Sequence, residues 1–228
     1  MRLAVAVLAL VCNVAVAPAQ KTVSFPTQDG GTIFADLYGS GPRGLVLAHG
    51  GQFNKESWRP QAERFAATGF FVLALDFRGY GNSRGPGQSD LDTAPLHLDV
   101  LAAVRYLRAA GAQAVSVVGA SMGASAAADA SIHSAKGEID RIVLLSEAPD
   151  GPADQIKSPT LWIIARDDSS GSGPRLPRIR AQYDRAPQPK RLILLDGSAH
   201  AQFLFATSDG ERVMREILGF LTPKSRPD

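Results

Sequence analysis

One stretch constrains the fold of this chain more than any other: Val115-Ser116-Val117-Val118-Gly119-Ala120-Ser121-Met122-Gly123-Ala124-Ser125. A short apolar run rich in β-branched residues ends in Gly-x-Ser-x-Gly and passes directly into an alanine-rich segment with the composition of a helix. A strand that turns sharply into a helix with serine at the apex is a nucleophile elbow. The apex residue is held in strained backbone geometry, and side chains two places either side would collide as strand and helix close on each other. Gly119 and Gly123 meet that demand. Ser121 then stands above the sheet at the positive end of the following helix, where developing negative charge is favoured.

The rest of the chain supplies a matching frame. Residues 22–26 and 32–38 read as a strand pair across a Gln28-Asp29-Gly30-Gly31 turn. A short buried strand at 45–48 runs into His49-Gly50-Gly51, and a helix over 56–68 is stopped by Gly69. The strand at 70–75 ends in Asp76-Phe77-Arg78-Gly79-Tyr80-Gly81-Asn82-Ser83, followed by a Gly- and Pro-rich loop to Gly87. Leu96, Val100, Val104 and Leu107 recur at helical spacing, and Gly111 closes that helix. Beyond the elbow come strands at 141–145, 160–165 and 191–195, with a helix around 178–183. A terminal amphipathic helix carries Val213, Met214, Ile217 and Leu221 on one face.

Strands alternating with helices require crossovers, and crossovers produce a mostly parallel sheet covered on both faces, an α/β fold. In such sheets chemistry collects beyond the carboxyl ends of the strands. Gly51, Ser121, Asp168 and His200 each follow a strand end.

Bulk properties narrow the alternatives. The 228 residues, 45% hydrophobic and 20% charged, suit one globular domain with a substantial core. A formal net charge of +2 argues against nucleic acid or an anionic membrane as the main partner. Arg2, an apolar run over 3–16 and Ala17-Pro18-Ala19 form a signal-peptide pattern with cleavage before Gln20, which predicts a secreted or periplasmic domain at 20–228. Retention of the leader as an anchor is the alternative, although the apolar run is at the short end for a span. Cleavage leaves no stable membrane insertion. Cys12 is the one cysteine, so the mature chain has no disulfide, thiolate nucleophile or Cys-based metal site. No His/Asp cluster has metal-ligand spacing, and neither a metal nor another cofactor is expected. The pattern specifies no oligomeric state.

A serine hydroxyl is a weak nucleophile until a base accepts its proton and a third group orients that base. Of four histidines, His49 lies in the Gly-rich loop before the elbow, and His97 and His133 read as surface or structural. His200 follows the last strand in the small-residue loop Asp196-Gly197-Ser198-Ala199-His200, and is the base candidate. The acid lies between Ser121 and His200 if the order is Ser, Asp/Glu, His. Asp168 is the first choice there, with Asp167 and Glu147 as alternatives. Neighbouring side chains diverge, so only one of the two aspartates can face the site. Backbone donors for an oxyanion come from Met122 and from the loop after the strand at 45–48, at Gly51 or, second, Gln52.

On these residues the chain resembles the α/β-hydrolase fold superfamily over essentially its whole mature length. The matching pieces are His49-Gly50-Gly51, Asp76-x-Arg78-Gly79-x-Gly81-x-Ser83, Gly119-Ala120-Ser121-Met122-Gly123, Ala165-Arg166-Asp167-Asp168 and Gly197-Ser198-Ala199-His200. The resemblance implies an eight-stranded, mostly parallel sheet with helices on both faces. It also implies an acid three residues after the small residue that ends its strand. That rule selects Asp168 from Ala165, where glycine is commoner. The Asp76 to Ser83 motif is mainly structural in the superfamily. Members with an aspartate nucleophile, such as haloalkane dehalogenases and epoxide hydrolases, differ from this chain at Ser121, and dienelactone hydrolases usually carry Cys there. Many relatives insert a cap after the strand that here ends at Leu145. Only residues 146–158 follow it before the next strand, which leaves no room for a lid.

The implied function is a serine hydrolase that cleaves a small-molecule ester through an acyl-enzyme, with Phe53, Trp58 and Phe203 as candidate walls of an acyl pocket or, equally, as core residues. Thioesterase, peptidase and amidase activities share the machinery. A catalytically silent binding protein on the same fold is the alternative outside enzymes.

Overall fold

The computed structural model describes residues 20–222. The leader expected at 1–19 lies outside the described residues. In chain order the elements are β1 (Lys21–Pro26), β2 (Thr32–Tyr38), β3 (Arg43–Ala48), α1 (Arg59–Ala67), β4 (Phe70–Leu75), α2 (Leu96–Ala109), β5 (Ala114–Ala120), α3 (Met122–His133), β6 (Ile142–Leu145), β7 (Thr160–Ala165), β8 (Ser169–Ser170), β9 (Gly173–Pro174), α4 (Leu176–Arg185), β10 (Lys190–Leu195) and α5 (Gly210–Leu221).

Eight strands form one sheet in the order β1-β2-β4-β3-β5-β6-β7-β10. Only β2 runs antiparallel to its neighbours β1 and β4; the remaining pairs are parallel. The central strands are buried on both faces, as a sheet covered by crossover helices requires. Period-two alternation sorts their side chains into two layers. Val46 and Ala48 pack with α2 and α3, whereas Leu45 and Leu47 pack with α1 and α5.

Register places the chemistry. Ala48 of β3 lies opposite Gly119 of β5, so the loop starting at His49 and the elbow leave the sheet side by side. Ala165 of β7 pairs with Leu195 of β10, which sets the loops carrying Asp168 and His200 next to each other. The connection at 146–159 contains only a 3-10 turn at Ala153–Gln155, and among the described residues no cap covers the strand ends.

Two local features depart from the sequence reading. The helix expected over 56–68 is a 3-10 turn (Lys55–Trp58) followed by α1. Asn54 caps that turn, its side chain accepting the Ser57 N–H at 3.1 Å, and Pro60 sits where a missing N–H is harmless. The small β8–β9 hairpin interrupts the loop after β7. The motif from Asp76 to Ser83 ties the frame together: Ser83 Oγ donates to Asp76 O at 2.8 Å, and buried Arg78 bridges Asp99 of α2 and Asp29 of the β1–β2 turn.

Candidate active site

Ser121 sits between β5 and α3 at φ 50° and ψ −120°, the strained geometry expected of the elbow. A Cβ on Gly119 would stand 2.1 Å from Gly123 O, and one on Gly123 would stand 2.3 Å from Ala48 O. Both glycines are therefore dictated by backbone packed against backbone. Ser121 N–H donates to Leu145 O at 2.9 Å, which anchors the turn to β6.

The structure brings Ser121, His200 and Asp168 together. His200 Nε2 lies 2.8 Å from Ser121 Oγ, and His200 Nδ1 lies 2.8 Å from Asp168 Oδ2 and 3.1 Å from Oδ1. An ionised carboxylate can only accept, so Nδ1 carries the ring proton and Nε2 accepts from the serine hydroxyl. Asp168 is fully buried. Asp167 is exposed, and its backbone N–H donates to Gly197 O at 3.0 Å. Glu147 also points elsewhere, into ion pairs with Arg175 and Arg178.

On the opposite side of Ser121, no protein acceptor engages the N–H of Gly51 or of Met122 among the described residues. Met122 opens α3, where the first N–H groups lack intrahelical partners. The Gly50–Gly51 peptide is held from several directions. Gly50 O accepts from His49 Nδ1 and from Phe53 N–H, each at 2.9 Å, and Tyr80 OH donates to Gly51 O at 2.7 Å. His49 Nε2 accepts the Phe77 N–H at 3.3 Å, which fixes a neutral ring. Burial pushes the pKa of His49 down to about 4. Gln202 and Ser146 complete the support: Gln202 Oε1 accepts the Gly50 N–H, and Ser146 Oγ accepts the Ala201 N–H, both at 2.9 Å. The sequence reading assigned no role to His49, Tyr80, Ser146 or Gln202. The signal available for His49 was its place beside two glycines; a lone Ser or Gln carries none.

A cavity of about 170 Å³ opens at Ser121 and His200, walled by Phe53, Phe203 and Arg175. The Phe53 and Phe203 rings meet edge to face at 5.1 Å. Trp58 corrects the expectation of a third aromatic wall, because it is fully buried and packs on Phe205 at 5.8 Å beneath the loops. Its place at the end of the 3-10 turn directs it into the core between α1 and α5. A larger cavity of about 550 Å³ is lined by Met122, Ser125, Asp129, Asp150, Glu147 and Arg178 among others.

The model of the family described as "Alpha/beta hydrolase family" matches residues 45–223. The Mus musculus protein named Bifunctional epoxide hydrolase 2 is 50% identical over 48 residues, which is 21% of this chain and 8% of that protein. An AB hydrolase superfamily protein of Bacillus subtilis is 30% identical over 123 residues, 54% of this chain and 44% of the relative. The chain thus spans less than half the length of these curated relatives. Among solved structures, an esterase of Pyrococcus furiosus superposes with a TM-score of 0.71 at 21% identity, over 88% of this chain and 92% of that one. An esterase of Exiguobacterium antarcticum gives 0.68 at 15% identity, over 87% and 98%.

Proposed function

This chain belongs to the alpha/beta hydrolase family, and we propose that within it the protein is a secreted serine hydrolase that cleaves small carboxylic esters through an acyl-enzyme. The observation that carries the reading is the unbroken line of contacts from Ser121 Oγ through both ring nitrogens of His200 to the buried Asp168 carboxylate. In this reading Ser121 Oγ attacks the ester carbonyl carbon while His200 Nε2 takes the hydroxyl proton. Asp168 keeps the ring in the right tautomer and stabilises the imidazolium. The oxyanion of the tetrahedral intermediate is received by the N–H groups of Gly51 and Met122. The imidazolium then protonates the departing alkoxide, leaving an acyl group on Ser121. A water molecule, deprotonated by His200, repeats the sequence and releases the carboxylic acid. Phe53 and Phe203 form the apolar wall for the acyl group. Export is part of the proposal and rests on the pattern at 1–19.

Three of the sequence relatives are named as epoxide hydrolases. Members of the superfamily with that activity use an aspartate at the elbow, and Ser121 has no carboxylate to form the corresponding alkyl ester. The ester reading is therefore preferred. The test is covalent labelling with a fluorophosphonate. Purified protein should take up one equivalent on the peptide containing Ser121 and hydrolyse p-nitrophenyl acetate. Ser121→Ala should lose both while its far-ultraviolet circular dichroism is unchanged. Labelling that survives the substitution overturns the assignment, and parallel rates on matched ester, thioester and anilide substrates rank the three chemistries.

A further inference from the structure

The Asp168 carboxylate is wholly buried, and its one hydrogen-bonding side-chain partner among the described residues is His200. A desolvated carboxylate needs further compensation to remain charged. The β8–β9 hairpin supplies it. After seven residues the chain returns so that Arg175 N–H donates to Asp168 O at 2.9 Å, and Arg175 Nε faces Asp168 Oδ1 at 3.5 Å. That Nε is buried and makes no hydrogen bond. It contributes charge at short range instead. The other end of the guanidinium is pinned, Nη1 donating to Glu147 Oε2 at 2.7 Å, and Glu147 is gripped in turn by Arg178 of α4.

Among the described residues, charge reaches the Asp168–His200 pair from the hairpin side. From the hairpin comes Arg175, and behind it stand Glu147 from the β6–β7 connection and Arg178 from α4. On the pair's own loops Asp167 is turned to solvent, and Arg166 lies in an exposed pair with Asp196. From the elbow before α3 the uncharged Ser121 reaches the ring. Among the described residues Arg175 is therefore the nearest fixed cation, and it also lines the cavity at Ser121.

We propose that Arg175 is a positioning residue for the proposed hydrolase: it keeps Asp168 ionised and aimed at His200, and its charge sets the pH at which His200 is free to act as a base. The inference rests on the Ser121–His200–Asp168 reading. A fixed positive charge beside the pair opposes its protonation, so removing that charge raises the proton affinity of the pair and removing Glu147 lowers it.

The experiment compares Arg175→Met, Arg175→Lys and Glu147→Gln. Two readouts are taken: the pH profile of kcat/KM on p-nitrophenyl acetate, and the titration of the His200 ring by NMR, assigned by its loss in His200→Asn. In Arg175→Met the acidic limb and the ring titration should both move up by about one pH unit. Arg175→Lys should restore most of the shift, and Glu147→Gln should move both readouts down. A merely structural Arg175 would lower the rate at every pH and leave the limb in place. An unmoved limb in Arg175→Met, or an equal shift in Arg175→Lys, overturns the proposal. Should Arg175→Met fail to fold, the sign of the Glu147→Gln shift decides, and no shift overturns. Failure of the hydrolase reading would look different: the wild-type protein would take no label, and the ring titration would still report on Arg175.

Discussion

Gly50 N–H donates to Gln202 Oε1 at 2.9 Å, joining the loop of the proposed oxyanion donor Gly51 to the 3-10 turn at Ala201–Ala206 that directly follows His200. Nε2 of the same amide donates to Ser57 Oγ at 2.7 Å, and Gln202 is only 8% exposed, so water cannot readily replace either bond. Leaving the Gly50 N–H without an acceptor costs about 1–3 kcal/mol, set against the geometry of the Gly51 peptide. Gln202→Leu should therefore lower kcat by roughly tenfold or more with KM within about twofold, because the donors matter most as charge develops. Gln202→Glu keeps the acceptor for Gly50 and should lose less. Steady-state kinetics check this, and a loss confined to KM would place Gln202 in substrate binding instead.

The two adjacent aspartates should behave very differently. Asp168→Asn removes the acceptor that fixes the tautomer of His200 and should reduce kcat by about 10⁴-fold. Asp167 is exposed, and Asp167→Asn should leave kcat within about twofold of the wild type. The reverse order would move the role to Asp167.

His49 links the site to stability. Its pKa is pushed by burial from 6.5 to about 4, so between these values the unfolded chain holds a proton that the folded chain does not. Stability contributed by this group therefore falls as pH falls through that window, by up to about 3 kcal/mol in all, and changes no further below it. Burial raises the pKa of Asp76, which gives a slope of the opposite sign, so the difference between proteins is the readout. Thermal unfolding from pH 4 to 7 should show a shallower decline toward acid in His49→Gln than in the wild type. Equal slopes would mean that the ring is not held neutral.

The short β6–β7 connection leaves the cavity at Ser121 uncovered, with Phe203 49% exposed at its rim. Hydrolysis should rise hyperbolically with monomeric ester and show no jump when the substrate forms droplets. Short acyl chains should react faster than long ones, because about 170 Å³ of cavity buries little apolar surface. A rate that climbs at the solubility limit, or a preference for long chains, would identify a moving cover, with the loop from Gly79 to Gly87 as the first suspect.

Much of the architecture was legible without coordinates. The bounds of β4 and β7 match the apolar runs read from the chain, because strands buried on both faces must be continuously apolar, and those of β2 match the second strand read across the Gln28–Gly31 turn. The elbow was legible for a steric reason, since Gly119 and Gly123 have no room for a Cβ. The start of α1 was not, because Asn54 and Pro60 act through a cap and a missing N–H that periodicity does not register.

Within the site, the sequence by itself determined which kinds of groups follow the strand ends. Local rules of strand, turn and helix act over a few residues and leave their mark in order and spacing. Only the tertiary structure decided which of Asp167 and Asp168 faces His200, that Trp58 fills the core while Phe53 and Phe203 wall the cavity, and that Arg175 returns to the buried acid. Those outcomes depend on the register of β7 with β10 and on a hairpin closing back on its own start. Contacts between loops are fixed by where whole strands end, and no window of neighbouring residues contains that information.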